Sequence, residues 1–487
     1  MVSDRPNFLI IMTDEHNPFV SEPFGHPFIQ TPNIQRLADR GVLFENAYCN
    51  SPLCVPSRAS FMTGKYVHRI GVWDNAASLS SNEPTWAHRL NLAGYETAIS
   101  GKMHFIGEDQ RHGFQRRLVS DIHGKMMRAL VDWDTKEGWN TQGHRERLAE
   151  AGPGDYLYSQ YDDCVATRAA EYLAEPERDD KPWALCVGLI TPHFPLIVRD
   201  KYWNMYYPRH ADLPDMPEGH LDELHPQNKR MREYFGLEGA TEEQIRRGRA
   251  AYYGLVTFAD ERIGQVLDAL ERNGLAENTV VVYVSDHGEM MGEHGLWWKC
   301  TYYESSQRIP FIVSWPKHFE PGRRTAITSL VDLTRTVVEL AGCDVDDTDL
   351  DGRVLTGLLD GTEQDGGGVA FSEYHAHGTD RPSRMVRRGG FKLTYYHNEP
   401  LELFDLADDP GEFNNLAEDP TYATVRDELL ALVLENWDPT RIDQTARESQ
   451  RLRRIVIEGS PHLSFAHWEP ADDNWEPLAV LSVAATD

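Results

Sequence analysis

The chain has 487 residues, 48 of them Lys or Arg and 77 Asp or Glu, for a formal charge of −29 at pH 7. With 40% hydrophobic and 26% charged residues it has a globular composition, which excludes a fibre or a wholly disordered chain. The acidic balance excludes nucleic acid and long polyanions as partners, while screening over about 10 Å still lets a local basic pocket capture a small anion.

Length alone predicts two or three domains. The six cysteines, Cys49, Cys54, Cys164, Cys186, Cys300 and Cys343, have neither a metal-ligand spacing nor the density of a disulfide scaffold, which predicts a reducing, cytoplasmic setting. The apolar run at residues 8–12 is too short for a signal segment and no run reaches transmembrane length, so no membrane partner is expected.

In chain order, residues 7–12 read as a buried parallel strand that ends in Thr13-Asp14-Glu15-His16. Asp14 thus falls at a strand's carboxyl end, where open α/β sheets bind ligands and a carboxylate can hold a metal. Thr31 followed by Pro32 reads as a helix start with Thr31 as cap. The stretch Cys54-Val55-Pro56-Ser57-Arg58 reads as a turn into a helix, whose exposed N–H groups can hold an anion with Arg58 as a fixed cation beside it. Residues 84–95 read as a helix with a glycine stop, and a strand over 96–100 runs into Gly101-Lys102-Met103-His104, where alternation aims Lys102 and His104 to one side. Residues 107–154 form an irregular insertion of the kind that shapes substrate pockets. A helix over 165–173 precedes a buried strand over 183–190, which ends in Thr191-Pro192-His193-Phe194-Pro195. A polar loop over 208–239 leads to an amphipathic helix over 242–272. The β-branched strand 279–285 ends in Asp286-His287-Gly288-Glu289, with Trp297-Trp298-Lys299 downstream, and an adjacent Asp and His at a strand end can both ligate a cation. Residues 440–457 read as a basic helix followed by Phe465, Trp468 and Trp475, an arm suited to a neighbouring subunit, so a homo-oligomer is expected.

Singly, each motif has an ordinary counterpart: Cys54 a buried small hydrophobe, Asp14 a turn cap, Lys102 and His104 a surface pair, His193 a loop residue. Together and in this order, the segment from Cys49 to Gly64, the Gly101-Lys102-Met103-His104 and Pro192-His193-Phe194-Pro195 elements and Asp286 through Lys299 resemble the type I sulfatases. The resemblance runs from Asn7 to about Glu418 and implies the fold of the alkaline phosphatase superfamily: a large, mostly parallel sheet sandwiched by helices, with a smaller C-terminal antiparallel sheet. The corresponding domains are 1–367 (catalytic), 368–439 (small α+β) and 440–487 (helix and aromatic tail). Residues 47–54 and Asp74-Asn75-Ala76-Ala77 look most like choline sulfatases, whereas Pro192-His193-Phe194-Pro195 looks more like carbohydrate or general sulfatases.

The same resemblance implies that Cys54 is oxidised to formylglycine by a formylglycine-generating enzyme, and that Asp14, Asp286, His287 and the modified Cys54 surround one divalent ion. The family's second Asp is Glu15 here and its Asn is His287, and an imidazole makes Mn2+ as acceptable as Ca2+. Arg58 and Lys102 would hold the nucleophile and the sulfate, His193 and Lys299 would serve the leaving oxygen, and His104 would be the base that releases sulfate. The implied activity is hydrolysis of a small organic sulfate ester, choline sulfate or a related alkyl or aryl sulfate. Hydrolysis of a phosphodiester or phosphonate monoester on the same framework is the second reading, and an anion-binding relative whose Cys54 stays a thiol is the third. Trp133, Trp139, Trp297 and Trp298, with Asp132 and Asp134, form a candidate cage for a quaternary ammonium.

Overall fold

The structure, a computed structural model, describes residues 5–123, 130–135, 145–175, 181–344, 349–363 and 366–459. Its architecture follows from a strand buried on both faces. In β1 (Asn7–Asp14), Phe8, Ile10 and Met12 enter one core, and Leu9 and Ile11 enter another. An unbroken apolar run is what such a position requires. With β2 (Val42–Tyr48), β3 (Glu96–Gly101), β4 (Arg116–Val119), β5 (Trp183–Pro192), β6 (Thr279–Ser285), β7 (Phe311–Ser314) and β8 (Gly322–Ser329), it forms one sheet in the order β8-β2-β7-β6-β1-β5-β3-β4. Pairing is parallel throughout except at β7, which runs antiparallel to β2 and β6.

Helices α1 (Pro32–Ala38), α3 (Leu157–Leu173) and α4 (Glu242–Arg272) cover the Leu9 face, contributing Ile34, Val165, Ala169, Ile263 and Val266. Helix α2 (Cys54–Thr63), the helix Trp86–Leu92 and α5 (Leu330–Leu340) cover the opposite face through Phe61, Met62, Trp86, Leu333 and Val337. Beyond them, β9 (Val369–Tyr374), β10 (Ser383–Arg388), β11 (Phe391–Tyr396) and β12 (Glu402–Asp405) form an antiparallel sheet, onto which α6 (Ala423–Leu434) packs Leu429 and Val433. Helix α7 (Pro439–Gly459) returns toward the first half of the chain. The expected large mostly parallel sheet between helices and separate small antiparallel sheet are both present. Among the described residues no helix is long and apolar enough to cross a membrane.

Three local readings change. Thr31 stands at the start of α1, but its side chain makes no capping bond there and instead accepts from the Glu22 amide. The carboxylate of Asp260, in α4, accepts from the Asn33 and Ile34 amides in its place. The stretch 208–239 is not all loop: it contains helices His220–Glu223 and Pro226–Tyr234, the second started by His225, which accepts from the Gln227 amide, and anchored by buried Met231. Helix α3 begins at Leu157, eight residues ahead of the expected start at Val165.

Where β3 hands over to the site, it passes very close to β5. A Cβ on Gly188 would lie 1.9 Å from the Lys102 carbonyl oxygen, and the Lys102 amide donates to the Gly188 carbonyl at 2.9 Å. Gly188→Ala should therefore cost roughly 1–3 kcal/mol, the usual range for overpacking, and lower activity by displacing Lys102. Urea unfolding and a turnover assay check this, and a variant with wild-type stability would contradict it.

Candidate active site

Two carboxylates stand at the carboxyl ends of adjacent strands, Asp14 closing β1 and Asp286 just after β6. Cys54 opens α2, and one turn on Arg58, itself buried, reaches both carboxylates: Nη2 lies 2.9 Å from Asp14 Oδ2, and Nε lies 2.7 Å from Asp286 Oδ2. Its Nη1 also donates to the Lys102 carbonyl at 3.0 Å. The other Asp286 oxygen accepts from the Glu15 and His287 amides at 3.1 and 3.0 Å, and Ser57 Oγ donates to the Asp286 carbonyl.

Asp14, Cys54, Asp286 and His287, all buried, offer donor atoms that lie within 4.8 Å of one another. Cys54 Sγ is 3.3 Å from His287 Nε2 and 3.7 Å from Asp14 Oδ1. His287 Nδ1 donates to the Gly288 carbonyl at 2.9 Å, which turns Nε2 toward the cluster. Two hard oxygen donors and an imidazole suit a divalent cation. Burial pushes the Asp14 carboxyl up, but Lys102 and Arg58 outweigh it and hold the group well below its ordinary value. Burial and the neighbouring Asp14 push the Cys54 thiol up to about 12, so it is protonated at neutral pH.

Beside Asp14 sit Lys102, whose Nζ pairs with Asp14 Oδ2, and a second group built on Lys299. Lys299 Nζ lies 2.8 Å from Glu15 Oε2 and 2.8 Å from His193 Nε2, with the Phe194 ring beneath it. His193 Nδ1 meets the Phe194 carbonyl, which again fixes the proton on Nδ1 and leaves Nε2 to accept from Lys299. Burial and then Lys299 hold His193 well below the ordinary histidine value, so it is neutral. For Lys299 burial works the other way, but Glu15 and Asp14 keep the ammonium above the ordinary lysine range. Glu15, at φ 67, is raised well above its ordinary value by burial and by the nearby Glu289, against the pull of Lys299.

His104 reaches the site differently from the alternation argument. Strand β3 ends at Gly101, and His104 adopts φ 62 with its amide held by Asp121, which also accepts from the Met103 amide at 2.8 Å. Its ring stacks on His123 at 4.2 Å, and Nδ1 is buried without a hydrogen-bond partner among the described residues. Burial, then His123 and Lys102, keep His104 neutral. Tyr158 of α3 stands between these groups, its ring 6.1 Å from His123 and 6.2 Å from His193.

The tryptophan cage does not assemble. Trp133 packs with Trp73, Trp437, Ile442 and Ala446 and bonds to Gln450, while Asp132 and Asp134 pair with Arg454 and Arg447 of α7. Trp297 and Trp298 are buried in a different core, and Trp139 lies outside the described residues.

Sequence reasoning also missed three buried carboxylates that clasp backbone amides beside site residues. Asp121 grips the segment of His104. Asp162, pushed up to about 7 by burial, accepts from the Ile190 and Thr191 amides before His193. Glu289 accepts from the Met291 and Trp298 amides before Lys299. Only Glu289 carried a signal, its place in the Asp286-His287-Gly288-Glu289 run.

Residues 6–343 match the family model described as Sulfatase, and residues 292–437 match that described as N-sulphoglucosamine sulphohydrolase, C-terminal. Choline-sulfatase of Rhizobium meliloti (strain 1021) is 36% identical over 490 residues, covering 96% of this chain and 94% of that protein. N-acetylglucosamine-6-O-sulfatase of Bacteroides thetaiotaomicron is 28% identical over 498 residues, covering 88% and 86% respectively. Among solved structures, the phosphonate monoester hydrolase of Agrobacterium radiobacter aligns with a TM-score of 0.71 at 24% identity, over 88% of this chain and 95% of its own, a likeness of fold.

Asp121 yields a pH-dependent prediction. Burial raises its carboxyl, but the contact with His123 and the Arg117 guanidinium hold it well below its ordinary 3.8, so its contribution is complete above that value and is lost as pH falls through the folded pKa. Asp121 Oδ2 accepts from both the Met103 and His104 amides while Oδ1 accepts from the His123 amide at 3.0 Å, so Asp121→Asn must turn its NH2 toward donors on one side and should cost about 1–3 kcal/mol at pH 7. The gap between the two proteins should narrow below pH 3.8. Denaturant titrations across pH measure it, and a gap that widens in acid would contradict the assignment.

Proposed function

Because the chain belongs to the sulfatase family and is a sulfuric ester hydrolase, we propose that it hydrolyses a small organic sulfate ester, with choline sulfate as the first candidate, using residue 54 as nucleophile. The observation that carries the reading is the buried cluster of Asp14, Cys54, Asp286 and His287, ringed by the cations Arg58, Lys102 and Lys299. A thiol pushed up to about 12 is a weak nucleophile at neutral pH, which favours conversion of Cys54 by a formylglycine-generating enzyme. Formylglycine would supply a hydrated aldehyde, one hydroxyl to attack sulfur and one to expel sulfate. Asp14, Asp286, His287 and residue 54 would hold one divalent ion, Ca2+ or Mn2+, which neutralises the anion and acidifies the attacking hydroxyl.

The remaining roles follow from protonation. Arg58 and Lys102 orient the sulfate oxygens against the carboxylates they already pair. Lys299, held as an ammonium, protonates the leaving oxygen, because the proton of neutral His193 is committed to the Phe194 carbonyl. His193 steadies that ammonium from its other side. Glu15 is the counterion of Lys299. His104, neutral and with a free Nδ1, takes the proton of the second hydroxyl.

The choline candidate rests on the R. meliloti relative and on the residues around His104 and His193. His104, His123 and His193 are all held neutral there by burial, so they do not repel a quaternary ammonium, and Tyr158 offers a ring between two of them. A cation against an aromatic face gains about 0.5–2 kcal/mol. Choline sulfate should therefore be turned over with a higher kcat/KM than 3,3-dimethylbutyl sulfate, its uncharged counterpart. Equal values would remove the choline assignment but leave a small alkyl sulfate. Faster turnover of an aryl phosphodiester than of an aryl sulfate would favour phosphodiester or phosphonate hydrolysis instead.

Activity across preparations should track the formylglycine fraction at residue 54, measured by peptide mass. Cys54→Ser, with a single hydroxyl, should be sulfated once and stall, while Cys54→Ala should show no covalent product. Full turnover by wholly unmodified Cys54 would sink this mechanism.

A further inference from the structure

The first turn of α2 leaves backbone N–H groups without helical partners, as every helix start does. Leu53, at the cap position, cannot satisfy one, yet the Val55 amide, next to Cys54, is bonded at 3.0 Å to Asn75 Oδ1 from a separate loop. That loop is shaped by Asp74, which accepts from the Ala76 amide at 2.9 Å. Asp74 is fully buried and needs a countercharge, and the counterion comes from the C-terminal helix. Arg453 Nη1 and Nη2 meet its two oxygens at 2.6 and 2.8 Å, a fork-to-fork pair. The helix is fixed in turn by Gln450, which accepts from the Trp133 amide at 3.0 Å, and by Ile442 and Ala446 against Trp73 and Trp437.

We propose that Arg453 and Asp74 are positioning residues for the nucleophile turn, coupling the C-terminal helix to residue 54 through Asn75. Neither contacts a reacting atom; they set where the first turn of α2 lies. The proposal rests on Cys54 as the site of chemistry, but its geometric content holds for the thiol as well as for the modified residue.

The test uses the full-length chain expressed without the maturation enzyme, so that Cys54 is a thiol. Cys54, 1% exposed, is alkylated with iodoacetamide and followed by peptide mass spectrometry. Arg453→Met should speed alkylation about tenfold, the signature of a local opening. Arg447→Met, on the same helix and paired with Asp134 and Asp443, should leave the rate unchanged even where it lowers Tm. If Arg453→Met does not fold, Arg453→Lys, which keeps the charge but loses the fork, should alkylate at an intermediate rate. In matured protein of equal formylglycine content, kcat of Arg453→Met should fall about tenfold with KM nearly unchanged, and Asp74→Asn/Arg453→Met should be no worse than the poorer single variant. Wild-type alkylation by the Arg453 variants, or equal acceleration by Arg447→Met, overturns the proposal. Turnover independent of the formylglycine fraction would instead overturn the role of Cys54 and leave the alkylation result standing.

Discussion

Two carboxylates at the ends of neighbouring parallel strands repel each other, and inside a protein that repulsion is weakly screened. Arg58 resolves it by spanning both, Nη2 of its guanidinium on Asp14 and the adjacent Nε on Asp286. A lysine would serve one carboxylate as a point charge, whereas the planar fork imposes a spacing between the two. Because Arg58 is one turn after Cys54, the same contact sets the distance of the helix start from the sheet. The cluster around residue 54 is thus a consequence of strand order: β1 and β6 are neighbours, and α2 is locked to the pair.

The parts of this arrangement that were legible in the sequence are those written locally. Strands β1, β5 and β6 show as apolar runs because both faces are covered, and the polar residues that break each run are the ones at the site, Asp14, His193 and Asp286. The parts that were not legible depend on distant partners. Nothing near Thr31 says that Asp260, far along the chain, will take over its capping role. Alternation failed for His104 because it presumes a strand, and the strand ends at Gly101. The tryptophans failed for another reason: aromatic composition indicates burial but not against what, and Trp133 is claimed by the C-terminal helix.

Asp121, Asp162 and Glu289 share one logic. Each lies outside the cluster of candidate ligands, and each accepts from two backbone amides in a segment that leads to His104, His193 or Lys299. Two of those segments hold a non-glycine residue in left-handed backbone, His104 at φ 62 and Trp298 at φ 70. Such conformations persist only when their surroundings over-determine them. At Asp162 each oxygen takes one of two consecutive amides, whereas at Asp121 and Glu289 a single oxygen takes both, and in every case the carboxylate brings no competing donor to the segment.

The burial of Cys54 also has a meaning in time. In the folded chain its neighbours include His287 and Lys299, and the residues before it are held by the small sheet, where Asn50 donates to the Phe371 carbonyl and accepts from the Glu373 amide. All of these are synthesised long after residue 54 leaves the ribosome. Any enzyme that acts on the Cys54 side chain therefore meets an open peptide early in synthesis and a closed wall later, so the order of chain emergence sets the interval in which that side chain can be reached.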